Sequence, residues 1–103
     1  MTIGKTASQA GHAYVNSFLK ASKEVQEEYQ GIEDIGTKVC LACPNEKKLE
    51  EVYYHALQLG LPCSLIVDSG DGSGFDEPTI TAVGVGPITR AQAKFLKKFQ
   101  LLK

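Results

Sequence analysis

Between Lys5 and about Gln30, apolar and small residues return every three or four positions: Ala10, Ala13, Tyr14, Ser17, Phe18, Ala21 and Val25. That period predicts one long amphipathic helix, with Gly31 as its stop. The pattern then changes. Lys38-Val39-Cys40-Leu41-Ala42-Cys43 is a short apolar run closed by Pro44, and it predicts a buried strand over 38–43. Asn45 is placed to cap a second helix running from about Glu46 to Leu59, with Leu49, Val52, Tyr53, Ala56, Leu57 and Leu59 as its apolar face and Gly60 just past its end. Cys63-Ser64-Leu65-Ile66-Val67 reads as the next strand, ending at Asp68. Ser69 to Pro78 contains Gly70, Gly72 and Gly74 and reads as a loop. Thr79 to Val85 alternates as a third strand, punctuated by Gly84 and Gly86-Pro87. Thr89-Arg90-Ala91-Gln92 has the spacing of a capping box, and it opens a last helix striped by Phe95, Leu96 and Phe99.

The order is helix, strand, helix, strand, strand, helix. Strand 38–43, helix 46–59 and strand 63–67 form a βαβ unit, so those two strands are expected to run parallel with a right-handed crossover. The expected fold is an α/β domain with a small mixed β-sheet of three strands, flanked by helices on both faces. At 103 residues the chain has the length of one domain, and 43% hydrophobic with 22% charged residues is globular composition. No apolar run approaches the ~20 residues that span a bilayer. The N-terminus, Met1-Thr2-Ile3-Gly4-Lys5, has no apolar core of a signal peptide. Three cysteines cannot all pair, so reduced thiols and a cytoplasmic location are expected.

The formal net charge is −1, whereas dedicated nucleic-acid binders are usually basic. The neutral total hides an uneven distribution. Glu24, Glu27, Glu28, Glu33 and Asp34 cluster without a base between them, while Arg90, Lys94, Lys97, Lys98 and Lys103 occupy the last segment without an acid. On an α-helix Arg90, Lys94, Lys97 and Lys98 fall at i, i+4, i+7 and i+8, forming one cationic stripe. Such a stripe is either a solvated face or a phosphate-contact surface.

Two constellations could carry chemistry. Lys5, Gln9 and His12 stand at i, i+4 and i+7, so a helix turns a cation, an amide and an imidazole the same way, beside the small residues Ser8 and Ala13. That face could hold an anionic or carbonyl group, or could simply be solvated. Asp68-Ser69-Gly70 puts a carboxylate at the end of a buried strand before a glycine loop, where α/β folds commonly place sites; the alternative is a loop-capping Asp. The acidic glycine loop that follows lacks the ligand spacing of a calcium loop, and Cys40-x-x-Cys43 on a strand would point to opposite faces. Neither feature calls for a metal. Cys40, Cys43 and Cys63 read as core thiols, and His55 as a surface or structural residue.

Taken together, three motifs resemble one family. Met1-x-x-Gly4-Lys5-x-Ala7-x-Gln9-x-x-His12-Ala13 is similar to the N-terminal helix motif of the type 2 (archaeal/eukaryotic-type) peptidyl-tRNA hydrolases. Gly60-Leu61-Pro62-x-Ser64-Leu65-Ile66-x-Asp68-x-Gly70 resembles the family's second signature, and Thr81-Ala82-Val83-Gly84-Val85-Gly86-Pro87 its third. The motifs occur in family order over essentially the whole chain.

The resemblance implies an enzyme, a carboxylic ester hydrolase that cleaves the bond between a stalled peptide and tRNA and so recycles tRNA for translation. It implies peptidyl-tRNA as the substrate and no cofactor or metal. By motif position Lys5, Gln9, Asp68 and Thr81 fall on active-site positions, with His12 a further motif member. Lys5 could stabilise an oxyanion, Asp68 could orient a water directly or through Thr81, and Gln9 could position the ester. Arg90, Lys94, Lys97 and Lys98 become a candidate tRNA surface. Two departures stand out. Asp71-Gly72 occupy positions where the family usually has Arg-Thr, and Ser73 could supply the missing hydroxyl. Met1 matches a methionine that in the family follows an apolar first strand, so the expected single domain, 1–103, lacks that strand. An open sheet edge would favour a homodimer. The competing reading is a catalytically impaired relative that serves as a tRNA- or protein-binding module.

Overall fold

A computed structural model describes residues 1–31, 36–70 and 77–103. The elements are α1 (Ile3–Lys20), α2 (Lys23–Gln30), α3 (Glu46–Gln58), β1 (Cys63–Asp68), β2 (Thr79–Val85) and a short 3₁₀ helix (Gln92–Leu96). This is a mixed α/β fold, as the sequence leads one to expect.

Three elements differ in detail from that reading. The expected helix 5–30 is two helices, because Ala21 is extended and Ser22 starts afresh as an N-cap, its hydroxyl accepting from Val25 N–H. Gln26 reaches back across the break and donates to the carbonyls of Phe18 and Ala21, satisfying the open end of α1. Apolar spacing stays in phase through this corner, so periodicity alone cannot show it. Residues 38–43 are not a strand among the described residues. Leu41 instead makes an isolated antiparallel bridge to Leu101, flanked by hydrogen bonds from Ala42 N–H to Gln100 O and from Leu102 N–H to Cys40 O. The apolar run wanted backbone partners and found them in the C-terminal tail. Among the described residues the expected parallel pairing with 63–67 is therefore replaced by one antiparallel pair, β1 with β2. Last, Thr89 and Gln92 do form their reciprocal capping box, but the turns after it close through i−3 carbonyls and give a 3₁₀ helix.

Other local signals are realised as written. Asn45 caps α3 by accepting from Lys48 N–H, and Gly60 takes a positive φ of 71° immediately after the helix. Leu57 and Leu59 nevertheless stay exposed, and the face of α3 that packs inward is narrower than its apolar composition.

The β1–β2 pair is sandwiched between helices of different character. On one face Ala56 and Tyr53 of α3 pack with Leu61, Cys63, Val85, Ile88 and Phe95 into the apolar core. Burial in this core pushes the Cys63 thiol above its ordinary range, as suits an inert core thiol. On the other face α1 lays a stripe of small and polar residues, Gln9, Ala13 and Ser17, against Ser64, Ile66 and Gly84. Ser17 donates to the carbonyl of Gly86 and lies 3.3 Å from that of Pro62, tying α1 to both strand ends. The helix comes very close at Gly84: a Cβ there would stand 2.1 Å from the Ala13 carbonyl oxygen. That approach holds α1 in register over the strands, and so sets where Lys5 and Gln9 reach.

Candidate active site

The N-terminal turn of α1 is capped by Thr2, whose hydroxyl accepts from Lys5 N–H at 3.1 Å. Lys5 therefore sits in the first turn, where the helix dipole disfavours a cation, and no acid accompanies it there. Its partner comes from the sheet. Lys5 Nζ lies 2.6 Å from Asp68 Oδ2, and the two side chains are 24% and 6% exposed. The other carboxylate oxygen, Oδ1, accepts from Gly70 N–H at 3.0 Å. Gly70 has φ 89°, a conformation that brings its N–H round to the end of β1.

One turn along α1, Gln9 is buried and its Nε2 donates to Thr81 Oγ1 at 2.9 Å. The position of Thr81 depends on a feature of the ladder. Ile66 pairs with Ala82 but Val67 pairs with Ile80, so Thr81 is the extra residue of a β-bulge. A bulge re-aims the side chain it carries, and here it turns the Thr81 hydroxyl to α1, with Ile66 O at 3.4 Å as its acceptor. The result is a compact set: an ion pair between α1 and β1, and an amide–hydroxyl pair between α1 and β2.

Beside this set lies an open cleft of about 560 Å³ lined by Gln9, His12, Asn16 and residues 65–69. His12 is exposed and reaches the cleft wall without entering the buried network. Asn16 also lines the cleft; it carries no sequence signal of its own beyond extending the 9, 12 spacing by one more turn. Four predicted positions, Lys5, Gln9, Asp68 and Thr81, thus converge, and His12 borders them. Ser73 lies outside the described residues, as do Asp71, Gly72, Glu33 and Asp34. Arg90, Lys94, Lys97 and Lys98 are all exposed, but on turns and the 3₁₀ helix, so the α-helical stripe is not formed as such. His55, as expected, is a surface residue; its ring packs 4.6 Å from that of Phe95.

The ion pair joins a buried carboxylate to a partly exposed ammonium, and desolvation offsets much of the attraction in such a pair. It stands beside the part-buried Gln9–Thr81 hydrogen bond, and Asp68 and Gln9 both line the cleft. The donor set suits attack on a carbonyl: a carboxylate to take a proton, and an ammonium to meet negative charge on oxygen.

Comparison with known proteins places the chain among its relatives. The family model described as "Peptidyl-tRNA hydrolase PTH2" matches residues 1–102. The peptidyl-tRNA hydrolase of Methanococcus maripaludis is 38% identical over 96 residues, covering 92% of this chain and 82% of that protein. The peptidyl-tRNA hydrolase of Methanocaldococcus jannaschii is 36% identical over 85 residues, 82% of this chain and 73% of its own. That of Thermococcus onnurineus is 39% identical over 85 residues, 82% and 71% respectively.

Proposed function

The chain belongs to the peptidyl-tRNA hydrolase PTH2 family, and on that premise we propose that Lys5, Gln9, Asp68 and Thr81 form the site at which it cleaves the ester bond of peptidyl-tRNA. The activity, hydrolysis of peptidyl-tRNA in the service of translation, follows from the family; a non-catalytic binding module is not favoured. The observation that carries the site assignment is the Lys5–Asp68 pair, whose carboxylate residue lines the cleft.

In the proposed reaction a water loses a proton to Asp68 as its oxygen bonds to the ester carbonyl carbon. Negative charge develops on the carbonyl oxygen, where the Lys5 ammonium stabilises it. The bond to the ribose oxygen then breaks, and that oxygen takes the proton held by Asp68. Products are a free peptide carboxylic acid, which releases its remaining proton to solvent, and a tRNA with its hydroxyl restored. Gln9 and Thr81 hold each other and keep α1 and β2 in the geometry this requires.

Thr81→Val tests the bulge contribution. It removes the hydroxyl with little change of shape and leaves the Gln9 amide without its buried partner. Hydrolysis of N-acetyl-aminoacyl-tRNA is expected to slow about tenfold while the fold persists in circular dichroism. A rate within twofold of wild type would remove Thr81 from the site.

Arg90, Lys94, Lys97 and Lys98 are proposed to contact tRNA phosphates. Charge reversal of Lys94 and Lys97 together is expected to weaken tRNA binding and flatten its dependence on log salt by about two. An unaltered slope would place the tRNA elsewhere. The reading extends to the cytoplasm, where translation generates the substrate. It also extends to a homodimer joined at the outer edge of β2, which among the described residues pairs only with β1. Sedimentation velocity showing a monomer at every concentration would remove the dimer.

A further inference from the structure

The cleft beside the ion pair continues well past the reacting groups, and its two walls differ in kind. One wall is the α1 stripe Gln9, His12, Asn16; the other is β1 itself from Leu65 to Ser69. Among the described residues β1 has β2 as its single hydrogen-bonded neighbour, so its opposite edge borders the cleft. The bond from Gly86 N–H to Pro62 O extends the ladder and sets its phase. Antiparallel pairing alternates, so Ser64 and Ile66 turn their backbone groups to β2, while Leu65 and Val67 turn theirs to the open edge. Val67 is 51% exposed in keeping with that position.

We propose that this groove binds the peptide part of the substrate as an extended segment along the open edge of β1, with Asn16 and His12 holding its other side. The inference rests on the hydrolase reading of the Lys5–Asp68 site, whose reacting carbonyl it places at the Asp68 end. A hydrolase that releases stalled peptides meets every sequence next to the ester, so recognition has to address the peptide backbone. A free strand edge does this with donors and acceptors at a fixed repeat of about 6.8 Å, two residues of ~3.4 Å. Asn16 adds an acceptor and two donors one helical turn beyond His12. The cleft, about 560 Å³, is open along its length, so a chain can lie in it without threading.

The test compares three synthetic substrates on the intact protein: N-acetyl-alanyl-tRNA, N-acetyl-tetra-alanyl-tRNA, and the latter with its second and third residues from the ester N-methylated. The tetrapeptidyl substrate is expected to show a kcat/KM roughly tenfold above the single-residue one, and N-methylation to abolish the gain. Asn16→Ala is expected to raise KM for the tetrapeptidyl substrate several-fold with kcat held within about twofold, which a general loss of structure would not do. Equal cleavage of all three substrates overturns the groove while leaving the hydrolase reading intact. So does an Asn16→Ala effect of the same size on short and long substrates, which would assign the cleft to the tRNA end. Absence of cleavage of any substrate by folded wild-type protein would instead overturn the hydrolase reading, and the groove with it.

Discussion

Lys5→Ala is expected to lower kcat/KM for hydrolysis of N-acetyl-aminoacyl-tRNA by roughly 100- to 1,000-fold, the loss typical of removing one preorganised oxyanion stabiliser. The ammonium stands 2.6 Å from Asp68 Oδ2. Asp68 is 6% exposed while Lys5 keeps 24%, so removing the ammonium leaves a largely buried carboxylate without this ion pair and is expected to lower the thermal midpoint as well. The rate is therefore compared at a temperature where the variant remains folded. Lys5→Arg restores charge but not shape: a planar guanidinium cannot occupy the compact ammonium position against Asp68, so only partial recovery is expected. If Lys5→Ala turned over at the wild-type rate, the cation would have no part in the reaction.

The second large effect is on stability and comes from a position with no side chain. Gly84→Ala puts a Cβ 2.1 Å from the Ala13 carbonyl oxygen, 2.8 Å from its carbon and 3.0 Å from Ser17 Cβ. Two of those atoms are backbone, so relief requires α1 to lift off the strands. Overpacking of this severity costs about 3 kcal/mol, which for a domain of this size lowers Tm by roughly 12–24 °C. Lifting α1 also carries Lys5 and Gln9 away from Asp68 and Thr81, so activity should fall at temperatures where the variant remains folded. Gly11→Ala is the matched comparison. It lies on the same helix with open space around it, and is expected to stabilise by about 0.5–1 kcal/mol through helix propensity. A Gly84→Ala midpoint within about 3 °C of wild type would show that the helix–sheet contact is not as tight as described.

Much of the geometry of the candidate site was legible in the sequence because it depends on local rules. Lys5 and Gln9 share a helix face by their four-residue spacing, and Asp68 ends a strand run where Gly70 can turn its N–H back to the carboxylate. The caps at Asn45 and at Thr89–Gln92 follow from side-chain chemistry and formed as written. The rest depends on choices made over distance. Ala21 breaks a helix whose apolar phase runs on unbroken, since what ends α1 is the Ser22 cap and the reach of Gln26. The run 38–43 shows that those residues seek partners without saying which, and the C-terminal tail at Leu101 supplied them. The bulge at Thr81 is a property of the pairing of two strands, so neither strand alone reveals it. Asn16 is an ordinary helix residue until the open edge of β1 faces it.

Lys5 and Asp68 are expected to act as one unit, and a double-variant cycle on single-turnover hydrolysis of N-acetyl-aminoacyl-tRNA measures that directly. Lys5→Ala and Asp68→Asn are each expected to lose at least about 100-fold, and the double variant to lie within about threefold of the slower single, since a pair that works together is lost only once. Single variants at the wild-type rate, or a double variant whose loss is the product of the two single losses, would contradict it.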